Sequence, residues 1–180
     1  MVHIFIAPGF EEIEAVTIAD ILRRCNLGVQ FISMVSARQV SGAHGITISC
    51  DNLFRRSELE GSDCLVLPGG KACAEYLHRY EGLRKLLMKH DSYKGLIAAI
   101  CASPMVLGEH GLLKGRRATC YPGFEGHLRG AKYTNESVVE DEHIITGRGP
   151  ASAVAFAFAI AERLVPADVV QRVREDMLFN

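Results

Sequence analysis

The sequence has no surplus of either charge, no C-x-x-C pair, no low-complexity tract and no long apolar run, and each absence removes a class of function. Lysine and arginine number 20 against 21 aspartate and glutamate in 180 residues, with no long run of either sign. That balance leaves no electrostatic footprint for nucleic acid or for an anionic membrane surface. The longest unbroken apolar run, residues 153–161, falls far short of the ~20 residues that span a bilayer. The opening MVHIFIAPGF lacks a basic n-region and a cleavage site and reads as a first strand. The expectation is a soluble, cytoplasmic protein whose partners are small molecules or other proteins. The six cysteines, Cys25, Cys50, Cys64, Cys73, Cys101 and Cys120, are scattered, and in a chain of this size without a secretion signal they read as reduced thiols. The seven histidines show no ligand-like spacing to them, so no metal is expected.

What the chain does contain is an alternation of strand and helix signals from end to end. At 48% hydrophobic residues it can fill a sizeable core, and residues 1–180 read as a single domain. Apolar runs at residues 2–7, 29–35, 64–67 and 96–100 read as buried strands. Helices are predicted over residues 11–26, 73–90 with a break near 80–82, 104–110, 151–164 and 167–177. In the first of these, Ile13, Val16, Ile21, Leu22 and Cys25 supply apolar positions. Residues 39–50 suggest a short hairpin, residues 117–120 a strand, and 137–140 with 143–146 a second hairpin. This order implies an α/β fold with a mostly parallel sheet between two layers of helices. Five predicted strands end within a few residues of Pro8, Pro68, Pro104, Pro122 and Pro150. In parallel sheets those carboxyl ends share one edge, where ligand crevices form.

The stretch Gly95-Leu96-Ile97-Ala98-Ala99-Ile100-Cys101-Ala102-Ser103-Pro104 concentrates the chemistry. Proline three places past the cysteine suits the first turn of a helix, which puts Cys101 on a strand-to-helix corner. Ala99 and Ser103 make the pattern small-x-Cys-x-small, like the Gly-x-Ser-x-Gly elbow that holds a nucleophile in a strained, exposed turn. Free backbone N–H groups and the helix dipole there favour thiolate. The plainer reading is a small apolar cysteine packed at a strand end.

A nucleophilic thiol needs a proton partner and oxyanion donors. Glu11, Glu12 and Glu14 open the first helix. Positions 14, 18, 21 and 25 share one face, so Glu14 lines up with Ile18, Ile21 and Cys25. An acid on an apolar stripe is held protonated and can hydrogen-bond a thiolate, the two titrating as a pair. Spacing alone does not exclude Glu11, which lines up with Ala15, Ile18 and Leu22. The Gly69-Gly70 corner and the Ala102 N–H are the candidate donors. The acidic first corner argues against phosphate or flavin, and no cofactor is expected. His44 and His127 sit in predicted loops within reach of the corner, and Arg148 suits a carboxylate or a partner chain.

With APGFEEIEAV, LVLPGG, KGLIAAICASP and ITGRGP in that order and spacing, the sequence resembles the ThiJ/PfpI superfamily, and within it the branch of the Parkinson-disease-associated protein. The resemblance implies a flavodoxin-like three-layer α/β sandwich of the class I glutamine amidotransferase type, carrying a nucleophile-elbow cysteine and assembling as a homodimer. It makes Cys101 the oxidisable nucleophile and Glu14 its hydrogen-bonding acid, with Gly69, Gly70, Ala102, Tyr121, Gly149 and Pro150 around the pocket. The implied activity is glyoxalase- or deglycase-like, taking a reactive carbonyl to a 2-hydroxy acid. The alternative is a redox-sensing protein whose cysteine meets an oxidant and becomes sulfinate. Two positions depart from the pattern. Tyr121 stands where well-known members carry a histidine, and Ala102 stands where protease and amidase relatives place one, which disfavours proteolysis and glutamine amidotransfer.

Overall fold

The computed structural model describes residues 1–179. In chain order the elements are β1 (Val2–Ile6), α1 (Glu12–Arg24), β2 (Val29–Ser33), β3 (Gln39–Ser41), β4 (Thr47–Ser49), β5 (Asn52–Leu53), α2 (Arg56–Leu59), β6 (Cys64–Leu67), α3 (Lys71–Arg79), α4 (Glu81–Ser92), β7 (Leu96–Ile100), α5 (Pro104–Glu109), β8 (Arg117–Ala118), β9 (Lys132–Tyr133), β10 (Val138–Asp141), β11 (Ile144–Gly147), α6 (Ala153–Glu162) and α7 (Ala167–Asp176).

The apolar runs that lack a polar face do so because both faces are covered. Every residue of β1, β6, β7 and β11 is buried, as expected of strands sandwiched between helical layers. They form the middle of a seven-stranded sheet of order β10-β11-β7-β6-β1-β2-β5, parallel except for the β10–β11 pair. Helices α1, α6 and α7 pack together, and α3, α4 and α5 form a second group. Five alanines in α6 let it lie close to β7 and β11 while its other side meets α1. The break predicted near 80–82 falls at Tyr80, whose extended backbone (φ −83°, ψ 99°) separates α3 from α4.

The chain runs outward from β1 through β2 to β5, then returns to place β6 on the other side of β1. Loops after β1 and β6 therefore leave a reversal point of the strand order, where ligands bind in sheets of this kind. These two loops touch: the Glu11 N–H donates to Gly69 O at 3.0 Å.

Two expectations are corrected. Residues 117–120 do not extend the main sheet. Only Arg117–Ala118 is strand, paired with β9 in a separate two-stranded unit, because the outer edge of β11 is already occupied by β10. Ile13 and Val16 are 59% and 46% exposed, and the buried side of α1 is carried by Glu14, Ala15, Ile18, Ala19, Ile21 and Leu22. Residues 52–53 and 56–59, for which the sequence gives no expectation, form β5 and α2. All six cysteines are free, and among the described residues no helix is long and apolar enough to cross a membrane.

Candidate active site

Strand β7 delivers Cys101 into a conformation that only the elbow requires. Its φ is +64°, the left-handed region that costs an L-residue roughly 1–2 kcal/mol. Three hydrogen bonds hold the turn there. The Cys101 N–H donates to Gly147 O at 2.9 Å and the Tyr121 N–H to Cys101 O at 2.8 Å, while the buried Ser103 hydroxyl donates to Pro68 O at 2.5 Å. The strained residue is thus tied to β11, to the segment after β8 and to the loop after β6.

From the other side of the reversal point, the first turn of α1 presents Glu14, which has no exposed surface. The Gly69 N–H donates to its Oε2 at 2.7 Å, and Oε1 has no partner among the described residues. Glu14 and Cys101 meet at Gly69: a Cβ there would overlap the Glu14 carboxyl, stand 2.5 Å from Cys101 Cβ and 3.1 Å from Sγ. Gly69 is therefore obligatory through proximity, and Gly70 through its backbone, with φ at +90° and Gly9 O where a Cβ would be.

The two acids share one largely buried pocket, and their protons are coupled. Burial pushes the Glu14 carboxyl up to about 7, with the Gly69 N–H and the Cys101 thiol pulling it down and the Glu11 charge adding to the rise. Cys101 is pushed up to about 12, by burial first and then by the Glu14 carboxylate, while the Gly70 and Ala102 N–H groups pull it down. Two of the donors expected from the sequence, Gly70 and Ala102, are present, but burial and Glu14 outweigh them. The thiol is not acidified on its own; between these two values the pair holds one proton, and sulfur becomes thiolate by passing that proton to Glu14.

The other predicted residues divide. Gly70 and Ala102 point their N–H groups at the sulfur, whereas the Gly69 N–H is spent on Glu14. Tyr121, Gly149 and Pro150 line a cavity of about 410 Å³ with Arg148, tied to the elbow by the Tyr121–Cys101 backbone bond, and Cys101 is not among its lining residues. Neither loop histidine joins Cys101. His127 Nδ1 lies 2.9 Å from Glu109 Oε1, and His44 Nδ1 lies 2.8 Å from Glu12 Oε2.

Glu12 was missed as a structural group. Buried under the β3–β4 hairpin, it accepts the His44 N–H at 2.7 Å and the Ile46 N–H at 3.4 Å. Burial raises its pKa, but the His44 ring and the surrounding N–H groups pull harder and hold it down at about 2. Glu11, Glu12 and His44 bring ligand-type atoms within 4.8 Å of one another, yet Glu12 is already committed to clamping the hairpin.

A strained cysteine at a strand-to-helix corner faces a buried glutamate across a glycine. Residues 1–163 match the model of the DJ-1/PfpI family. Protein dj-1beta of Drosophila melanogaster is 35% identical over 97% of this chain and 95% of its own. The glutathione-independent glyoxalase DJR-1.2 of Caenorhabditis elegans is 34% identical over 86% of this chain and 82% of its own. A DJ-1 superfamily protein from Salmonella typhimurium superposes with a TM-score of 0.93 at 33% identity, covering 99% of this chain and 98% of its own. By sequence and by fold, the chain belongs to the DJ-1/PfpI family.

Proposed function

We propose that the protein is a cysteine-dependent enzyme that converts α-oxo aldehydes, or their early adducts, to 2-hydroxy acids. The observation that carries this is the buried Glu14 carboxyl facing the Cys101 thiol across Gly69 at a strained elbow. The sulfur adds to the aldehyde carbon while its proton passes to Glu14, which returns it to the carbonyl oxygen. The Gly70 and Ala102 N–H groups are the donors at hand for the charge that develops. In the resulting hemithioacetal the hydrogen on C1 moves as a proton to C2 through an enediol, leaving a 2-hydroxyacyl thioester. Water cleaves the thioester, releasing the hydroxy acid and restoring the thiol. Oxidation at C1 balances reduction at C2, so no external oxidant or reductant is required.

The glyoxalase name borne by one relative favours turnover over a role limited to sensing oxidants. The test is formation of lactate from methylglyoxal: Cys101→Ala should abolish it and Glu14→Ala should lower it by ~10²-fold or more. Activity retained by Cys101→Ala would overturn the reading. We also propose a homodimer. Ile13 and Val16 lie exposed on one face of α1, and Ile46 is exposed on the hairpin whose N–H groups bond Glu12; sedimentation of wild type against Ile13→Asp tests that surface.

A further inference from the structure

Arg148 has charge and no partner. It follows β11 directly, and its N–H donates to Ser137 O at 2.9 Å. Its side-chain Nε is closed off from solvent without an acceptor, and the guanidinium forms no ion pair among the described residues. Arg148 as a whole is half-buried, and the enclosed Nε–H left without an acceptor is an unmet donor that costs free energy. It is the only charged side chain lining the cavity of about 410 Å³, whose remaining polar groups include Tyr121, Asn135 and Ser137. Ser152 is already used, accepting the Gly149 N–H and donating to Gly149 O. The buried Cys120 thiol feels the Arg148 charge, which places the guanidinium beside the segment that carries Tyr121.

Both walls of this cavity are fastened to the nucleophile. Tyr121 donates to Cys101 O, and Gly147, next to Arg148, accepts the Cys101 N–H. A molecule held here lies against the residues that set the elbow. The volume suits a small metabolite. One guanidinium fork with neutral amide and hydroxyl neighbours matches a single planar anion of one charge, the geometry of a carboxylate; a phosphate dianion would be left under-neutralised.

We propose that Arg148 is a carboxylate-binding residue and that the carbonyl compounds processed at Cys101 carry a carboxylate which it holds. The second half rests on the enzymatic reading above; the first half does not. The preferred substrates are then α-oxo aldehydes ending in a carboxylate, over neutral ones of the same size.

The experiment titrates the full-length protein with succinate at constant ionic strength, followed by NMR of backbone amides and of the Arg148 Nε–H, with sodium chloride and inorganic phosphate as controls. In wild type, succinate should shift the Arg148 Nε–H and the amides of Tyr121, Asn135 and Gly149 saturably, and phosphate should do so more weakly. Arg148→Gln should weaken the response by roughly tenfold or more, Arg148→Lys should fall between, and Cys101→Ala should bind as wild type does. A kinetic arm compares an α-oxo aldehyde ending in a carboxylate with its methyl ester: wild type should favour the acid by roughly tenfold, and Arg148→Gln should not. The proposal falls if wild type shows no saturable shift at these positions, if chloride reproduces it, or if Arg148→Gln binds succinate equally well. It falls too if Arg148→Gln dissociates a dimer while leaving the succinate response intact, since Arg148 would then serve a partner chain. Failure of methylglyoxal turnover overturns the enzymatic reading alone, because the titration needs no catalysis.

Discussion

Glu14 and Cys101 are separated by most of the first half of the chain and meet across the Cα of Gly69, where no side chain fits between them. Their mutual position is therefore set by a backbone. Gly69→Ala should force the carboxyl and the thiol apart, destabilising the protein by about 1–3 kcal/mol and slowing alkylation of Cys101 by iodoacetamide at pH 8. Unchanged alkylation with unchanged melting temperature would show that the pair does not depend on this spacing.

The coupled proton has a signature in pH. The rate of Cys101 alkylation should rise through about 7, as the pair loses its first proton, and again toward about 12. In Glu14→Gln the carboxylate charge that raises the thiol is gone, so the first step should vanish and the remaining one should move below 12. A single wild-type step near ~8.5, the value of a free cysteine, would refute the coupling.

Glu14 also makes stability depend on pH. Its folded-state value, about 7, lies above the reference value of 4.5, so the folded protein binds this proton more tightly than the unfolded chain does. Its contribution is complete below 4.5 and disappears between 4.5 and 7, amounting to about 3 kcal/mol. Denaturant unfolding of wild type and Glu14→Gln at several pH values should show the difference growing against wild type across that window. Glu12, held at about 2, runs the other way: its stabilisation is present above 4.5 and is lost as pH falls toward 2.

Backbone strain at Cys101 is separable from its chemistry. With φ at +64°, Cys101→Gly should be more stable than Cys101→Ala by about 1 kcal/mol, although both lack the sulfur. Equal thermal stabilities would mean that the elbow relaxes once the thiol is removed.

Tyr121 takes the place of a histidine in the expected pattern, yet its link to Cys101 is through the main chain. Tyr121→Phe should leave turnover within about threefold of wild type, against the ~10²–10⁴ lost when an acid–base group is removed. A larger loss would assign the proton relay to the phenol.

Much of this was legible before any coordinates. The α/β order, the elbow at Cys101 and the buried face bearing Glu14 followed from apolar runs, a well-placed proline and helical spacing, because those patterns report local backbone and burial directly. Spacing favours Glu14 without excluding Glu11. The choice between them depends on how the loops after β1 and β6 sit against each other, a relation made by tertiary packing. Ile13 and Val16 misled because an apolar residue on a helix shows a buried face whether its own chain or another surface covers it. Arg117–Ala118 misled because a β-favouring run does not reveal whether a sheet edge is free. The thiol was expected to be acidic from its N–H donors, but how far burial opposes them cannot be read from neighbours in sequence.

Cys101 is 9% exposed, whereas the other five cysteines are between 0% and 2% exposed. In practical terms the native chain behaves toward a water-soluble thiol reagent as a protein with one equivalent to give, with five more in reserve. A count of modified sulfurs therefore reads two quantities at once. The first equivalent measures the condition of the elbow, and every equivalent beyond it measures how much of the population has opened its core.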